Sequence, residues 1–294
     1  MNSSDPWGQA WPLLEATPGL LTRSAVPEAL IGATTVTEFF DATDRAVLFR
    51  IDRLGRVLVR DGREILVDPV ADATPDEVAG FVFGSGMVAL LWQRGFLVLH
   101  GAAVEIDGRG VLFVGPPGCG KSSLAAALQQ RGHAVLTDDV CAVTLGEDGR
   151  PKVVPGTPFV RLWDDALAAL GIPTDALRRI ETRHVDAEGR EKYFFPGAPL
   201  GDAAPLSRIY HLVPGSGAPA ISPVAGALRM TTMANATYHV DVADALGARV
   251  KRFQQGAAVA RTVGFARLTR PVDLAQLGEV ARMVEADVQK ESRP

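Results

Sequence analysis

The strongest constraint on this chain is a run of eight residues, Gly115-Pro116-Pro117-Gly118-Cys119-Gly120-Lys121-Ser122, which fits the spacing G-x-x-x-x-G-K-[ST]. It follows the apolar run Val111–Val114 and precedes the helix-forming stretch Leu124–Leu128. A strand, a glycine-rich turn and a helix in that order imply an α/β core. Glycines let backbone N–H groups turn inward around a phosphate, and the start of the helix adds its partial positive charge. Lys121 can reach the β- and γ-phosphates of a nucleotide, and the Ser122 hydroxyl can ligate Mg²⁺. The phosphate cradle is therefore expected to run from Gly115 through Pro116, Pro117, Gly118, Cys119, Gly120, Lys121 and Ser122 to Ser123.

Such a loop serves ATPases, GTPases, kinases and transporters alike, so its neighbours must decide. Asp138-Asp139 follows the short apolar run Ala134–Leu136 and reads as the end of the strand after the loop helix. One carboxylate there can hold Mg²⁺ and the other can take a proton from an attacking hydroxyl. Their mutual repulsion can raise one pKa into a useful range. In most P-loop ATPases the Mg²⁺-linked Asp lies further down the chain; here it comes on the next strand, and there is no Asn/Thr-Lys-x-Asp run for guanine. A motor, a transporter and a GTPase are disfavoured, and ATP is the expected nucleotide. His100 ends an apolar run, Phe96–Leu99, and its imidazole comes near the carboxylates if its strand lies beside the loop strand. Arg190 and Lys192, in Gly189–Tyr193, read as a basic loop that can close over a transferring phosphoryl group.

Residues 1 to about 37 are rich in Pro, Thr, Ser and Ala and are expected to be an irregular lead-in. Ala46–Asp52, Arg56–Arg60 and Glu64–Val67, punctuated by Leu54-Gly55 and Asp61-Gly62, read as an antiparallel meander. A helix is expected from Thr74 to Gln93, with Thr74 as cap, Pro75 at the first position, and Asp76 and Glu77 facing the positive end of the dipole. Past the loop, separate strands are expected at Ala134–Leu136 and Cys141–Leu145. A helix at Trp163–Leu170, a strand from 206, helices near Gly226–Met233 and Val240–Ala260, a strand at Ala266–Leu268 and an amphipathic helix over Asp273–Gln289 complete the chain. This divides it into a small β-meander region, residues 1–75, and a catalytic domain, residues 76–294.

A formal net charge of −4 with 22% charged residues argues against a nucleic-acid partner. The two cysteines, Cys119 and Cys141, are too few for a metal cluster or a disulfide framework. The absence of a charged, long apolar N-terminal run or of a spanning stretch points to a cytoplasmic protein with no membrane partner.

Taken together, Leu99-His100-Gly101, Gly108–Phe113 leading into Gly115–Ser122, Arg131-Gly132-His133 and Asp138-Asp139 resemble the HPr kinase/phosphorylase family. The resemblance is close over Phe96–Val143. It implies the P-loop core shared with the ATP-dependent phosphoenolpyruvate carboxykinases. It also implies that Asp138 is the general base on an acceptor serine, that Asp139 and Ser122 are linked to Mg²⁺, and that His100 lies beside the base. The chain departs from the family at Ser123, often Glu there, and at Pro117, commonly Ser. Its N-terminal portion reads as a short meander rather than the family's substantial N-terminal domain, and the family's C-terminal signature finds no match in it. The short meander, Arg94-Gly95-Phe96, Phe159–Trp163 and Gly189–Tyr193 are similar to the HPr-kinase-related lasso peptide kinases, which implies a peptide or protein acceptor bearing a serine hydroxyl. A homo-oligomer is compatible with the resemblance. The competing functions are a kinase of an HPr-like protein or of a small metabolite hydroxyl, and a nucleotide-binding regulatory module without transfer.

Overall fold

The computed structural model describes residues 21–156, 159–181, 188–197, 202–271 and 273–290, so most of the expected irregular lead-in, residues 1–20, lies outside the described part. The described residues form two compact units. The first takes residues up to 98, residue 181 and residues 237–255; the second takes the remainder.

The first unit carries the meander. β1 (Leu21–Arg23), β2 (Thr35–Val36), β3 (Phe40–Ala42), β4 (Ala46–Ile51), β5 (Gly55–Arg60) and β6 (Glu64–Pro69) form one sheet in the order β1-β6-β5-β4-β3-β2. β4, β5 and β6 pair antiparallel in sequence order, as their turn residues require. Leu48 and Leu58 pack with Val26 into a small apolar cluster. The helix that follows begins as its cap predicts. Thr74 Oγ1 accepts from Glu77 N at 3.2 Å and Glu77 Oε2 accepts from Thr74 N at 3.1 Å, with Pro75 at the first helical position. It does not run unbroken to Gln93. α1 (Pro75–Phe81) passes through a wide π turn at Val82–Gly86, where Gly84 leaves helical geometry, before α2 (Met87–Gln93) resumes.

The second unit is a seven-stranded sheet with helices. β7 (Leu97–Ile106), β8 (Arg109–Val114), β9 (Ala134–Leu145), β10 (Pro151–Val154), β14 (Ala204–Pro214), β15 (Ala220–Pro223) and β16 (Gly264–Arg270) lie in the order β10-β9-β7-β8-β14-β16-β15, and β10 also pairs with β14. The strands from β10 to β14 thus close on themselves. β8, β14 and β16 run parallel, which sets the loop after β8 and the end of β16 at the same margin. α3 (Lys121–Gln130) follows the glycine-rich loop. Its Leu124, Ala127 and Leu128 share a buried core with Val111 and Phe113 of β8, Tyr210 of β14, and Val280, Val284 and Val288 of α8 (Leu277–Lys290). A smaller sheet joins β11 (Phe159–Trp163), β12 (Arg178–Arg179) and β13 (Lys192–Pro196) in the order β11-β13-β12, with α4 (Asp164–Ala169) directly after β11. α5 (Ala227–Ala236) falls on the expected helix near Met233. In residues 237–255, which belong to the first unit, the helix expected over Val240–Ala260 is broken in two: α6 (Val240–Ala245) and α7 (Arg249–Thr262), the latter running on past that unit, are separated where Gly247 turns left-handed at φ 71°.

The α/β architecture with a β-rich N-terminal part is as the sequence predicts. Besides the two interrupted helices, an expectation at the site fails. Asp138-Asp139 does not end a strand, because β9 is continuous from Ala134 to Leu145. Asp139 sits inside it at φ 73°, a left-handed residue that Asp tolerates better than most. The neighbouring ladders of β7 and β10 hold the strand through a point where local preference favours a turn. Among the described residues no helix is long and apolar enough to cross a membrane.

Candidate active site

The loop Gly115–Ser122 leaves the end of β8 and turns into α3 with its glycines in conformations other residues resist. Gly115 has φ 150°, and a Cβ there would lie 2.7 Å from the Leu212 carbonyl oxygen and 3.0 Å from Cys119 Sγ. Gly120 caps α3 at φ 87°, and its missing side chain leaves room for the Arg270 guanidinium. Pro116, Pro117 and Gly118 form an exposed crest, and Cys119 is buried beneath it. Burial pushes the Cys119 thiol above its ordinary pKa, so it stays a neutral packing group. Lys121 is 7% exposed. Its Nζ donates to the carbonyls of Gly115 at 2.9 Å and Pro116 at 3.0 Å, which centres the ammonium within the loop. Ser123, on the first turn of α3, is half-buried.

Asp138 comes to this loop from β9. Ser122 Oγ donates to Asp138 Oδ1 at 2.7 Å, and the Arg161 backbone N–H donates to Asp138 Oδ2 at 3.2 Å. Burial raises the Asp138 carboxyl above the usual carboxylate range, and the charge of Arg161 with the Ser122 hydrogen bond only partly offsets it. Asp139 behaves oppositely. Burial acts upward on it, but the His100 hydrogen bond and the Arg161 charge together outweigh burial and hold its carboxyl well below the usual range. Arg161 Nη2 donates to Asp139 Oδ2 at 2.6 Å. His100 Nδ1 lies 3.2 Å from Asp139 Oδ1 and 3.3 Å from the Asp139 carbonyl oxygen. Both are acceptors, so Nδ1 carries the ring hydrogen. Two adjacent aspartates therefore have pKa values driven apart by one arginine, one histidine and burial.

The smaller sheet supplies the cationic side. β11 and β13 pair antiparallel with Trp163 opposite Lys192 and Arg161 opposite Phe194. Arg161 and Trp163, two residues apart, share a face of β11. Lys192 Nζ and the Arg190 guanidinium each lie 4.7 Å from the centre of the Trp163 ring. Burial and then the charge of Arg161 lower the Lys192 pKa, against the pull of Asp138 and Asp139. Arg190 Nη2 lies 2.9 Å from a Glu188 carboxylate oxygen and its Nη1 lies 3.4 Å from Asp165. Lys192 has no carboxylate within ion-pair distance among the described residues.

The structure thus brings Lys121, Ser122, Asp138, Asp139 and His100 together, with Trp163 carrying Arg190 and Lys192 on the adjoining sheet. It differs from expectation in one pairing: the Ser122 hydroxyl meets Asp138, while Asp139 is engaged by Arg161 and His100. The donor set of Ser122 and Asp138, hydroxyl and carboxylate oxygens side by side, suits a hard cation. Asp139 could join it only by releasing Arg161. Arg161 and Arg270 were not singled out from the sequence; the former stands on a strand that only tertiary pairing brings beside β9.

Residues 96–154 match the family model described as HPr Serine kinase C-terminal domain. Among curated relatives, the HPr kinase/phosphorylase of Lactobacillus acidophilus is 54% identical over 41 residues, covering 14% of this chain and 13% of that one. The HPr kinase/phosphorylase of Clostridium botulinum is 44% identical over 69 residues, covering 21% and 22%. The chain thus spans less than a quarter of the length of these curated relatives. A solved structure titled as the Hpr(Ser) kinase/phosphatase from Coxiella burnetii aligns with 67% of this chain and 99% of that one, at 13% identity and a TM-score of 0.35. The segment that holds His100, the phosphate loop and Asp138-Asp139 is therefore similar to the C-terminal domain of the HPr serine kinases.

Proposed function

We propose that this protein is a kinase that moves the γ-phosphoryl group of ATP to a serine hydroxyl of a peptide. The observation that carries this reading is Asp138: a buried carboxylate of raised pKa, hydrogen-bonded to Ser122 of the phosphate loop and acted on by the charges of Arg161 and Lys192. A carboxylate so placed can take the acceptor proton. The acceptor oxygen forms a bond to the γ-phosphorus, the bond from that phosphorus to the β–γ bridging oxygen breaks, ADP departs, and the hydroxyl proton passes to Asp138. Mg²⁺, held by Ser122 with Asp138 beside it or by Asp139 if Arg161 lets go, would offset phosphate charge. Lys121 releases the Gly115 and Pro116 carbonyls to bind phosphate oxygens. His100 fixes Asp139 and, through it, Arg161.

In its finer form the acceptor is the C-terminal serine of a lasso precursor peptide. The short meander and the Phe159–Trp163 and Gly189–Tyr193 segments support it by their resemblance to that group of kinases. The test is transfer from γ-labelled ATP to a peptide ending in serine, the same peptide ending in alanine, and an HPr protein. Label confined to the terminal serine is expected. Label on HPr alone would replace the acceptor, and bound ATP with no phosphoproduct would leave a binding module.

Lys192→Ala should lower kcat by about tenfold or more, equivalent to ~1.4 kcal/mol of transition-state stabilisation. Its ammonium, held on Trp163 with no carboxylate at ion-pair distance among the described residues, is available to a transferring phosphoryl group. An unchanged kcat with the true acceptor would remove Lys192 from the reaction.

A further inference from the structure

The last residue of β16, Arg270, is a buried cation that no ion pair among the described residues neutralises; the Asp273 carboxylate acts on it only from beyond ion-pair distance. It is 4% exposed. Its guanidinium lies against the start of α3: a Cβ on Gly120 would be 2.9 Å from Nη2 and 3.1 Å from both Cζ and Nη1. Nε donates to the Pro271 carbonyl at 3.1 Å, but Nη1 is buried with no hydrogen-bond partner among the described residues. No carboxylate among those residues reaches ion-pair distance. Arg208, the other buried arginine of this unit, contrasts with it: its Nη2 lies 2.7 Å from Asp287 Oδ2. Cys119, the nearby acidic group of the loop, cannot serve as counter-ion, because burial keeps it a neutral thiol.

A buried, unpaired guanidinium is costly to the folded state. It makes physical sense where an anion completes it, and the anion site here is the one that the α3 N-terminus and the glycine loop already form. We propose that Arg270 is a phosphate-positioning residue, a second cation beneath Gly120 that sets the affinity of the loop for the anionic part of a nucleotide. This rests on the nucleotide reading of Gly115–Ser122. It requires that the open N–H find its acceptor when the loop closes on phosphate, either on a phosphate oxygen or on a loop carbonyl that Lys121 has released.

The test compares wild type, Arg270→Met and Arg270→Lys as full-length proteins, measuring melting temperature alone and binding of ADP, inorganic pyrophosphate and adenosine by calorimetry. Arg270→Met should lose affinity for ADP and pyrophosphate by about tenfold or more and keep its affinity for adenosine. Arg270→Lys, which retains charge without the planar fork, should lose less. Without ligand, Arg270→Met should melt at or above wild type, because a desolvated, unpaired charge has been removed; its melting shift with ADP should shrink. A variant that fails to fold, or melts well below wild type, assigns Arg270 to the fold and overturns the proposal. So does unchanged pyrophosphate affinity, or an equal loss for adenosine. Wild type that binds neither ADP nor pyrophosphate overturns the nucleotide reading itself, and this proposal with it.

Discussion

Asp138→Asn should lower phosphoryl transfer by about 10³-fold or more while leaving nucleotide affinity within a few-fold, the scale expected for losing a general base. The substitution keeps shape. The Asn carbonyl oxygen can still accept from Ser122, and its amide replaces the oxygen that faces the Arg161 N–H. What disappears is a carboxylate beside the phosphate loop that can take a proton and that burial has already tuned upward. Single-turnover transfer measured beside calorimetric ATP binding checks both halves. Transfer that survives the substitution removes Asp138 from the base role. In wild type, the acid limb of the kcat/KM profile should rise with pH through a value above the ordinary carboxylate range, since a general base at Asp138 would act only when deprotonated.

Arg161→Met is the second large effect, and it should appear in two measurements at once. The guanidinium pairs with Asp139, and its charge also lowers the Asp138 pKa. Without it the Asp138 pKa climbs further, the acid limb moves to higher pH, and kcat near neutrality falls by about tenfold or more. Stability falls as well. Removing one partner of a buried pair costs about 3–5 kcal/mol; with both side chains about a quarter exposed, ~2 kcal/mol is expected at pH 7. The sign of its pH dependence follows from Asp139. Its folded pKa is depressed, so its contribution is present above the unfolded carboxylate value and is lost as pH falls through the folded one. Acidification below about pH 4 should therefore narrow the gap between variant and wild type. Asp138, whose folded pKa is raised, works the other way in both proteins, favouring the fold at acid pH and losing that as pH rises through its folded value. Urea denaturation at neutral and acid pH reads this directly. An equal loss at both would show that the pair acts by packing alone.

The parts of this molecule that were legible in the sequence are those that local chemistry decides. Glycine spacing before Lys121 marks the loop, Thr74 with Pro75 and Glu77 marks a helix start, and Leu54-Gly55 and Asp61-Gly62 mark the turns of the meander. Each is settled within a few residues. The misread parts are settled by distant partners. Asp138-Asp139 looks like a strand end because aspartate favours turns, yet β9 runs through it under its neighbouring ladders. Arg270 carries no local signal among many arginines, and Arg161 only a faint one. They matter because β11 pairs with β13 beside β9, and because β16 runs parallel to β14 and ends under the loop. One signal was present: Phe159–Trp163 alternates apolar residues about Arg161, so its charge faces away from the core that Val160 and Leu162 enter.

The left-handed turn at Asp139 has a consequence for how this site can diverge. Adjacent residues of a regular strand show their side chains to opposite faces, so two neighbouring carboxylates can serve one site only where the alternation is broken. Position 139 is thereby filtered by backbone before chemistry, and only glycine, asparagine and aspartate pass easily. A relative that does not catalyse phosphoryl transfer would still draw its residue 139 from that short set. Position 138 is under no such filter. Across related sequences, then, residue 139 should report the bend of the strand, and residue 138 should report whether the proposed chemistry is possible.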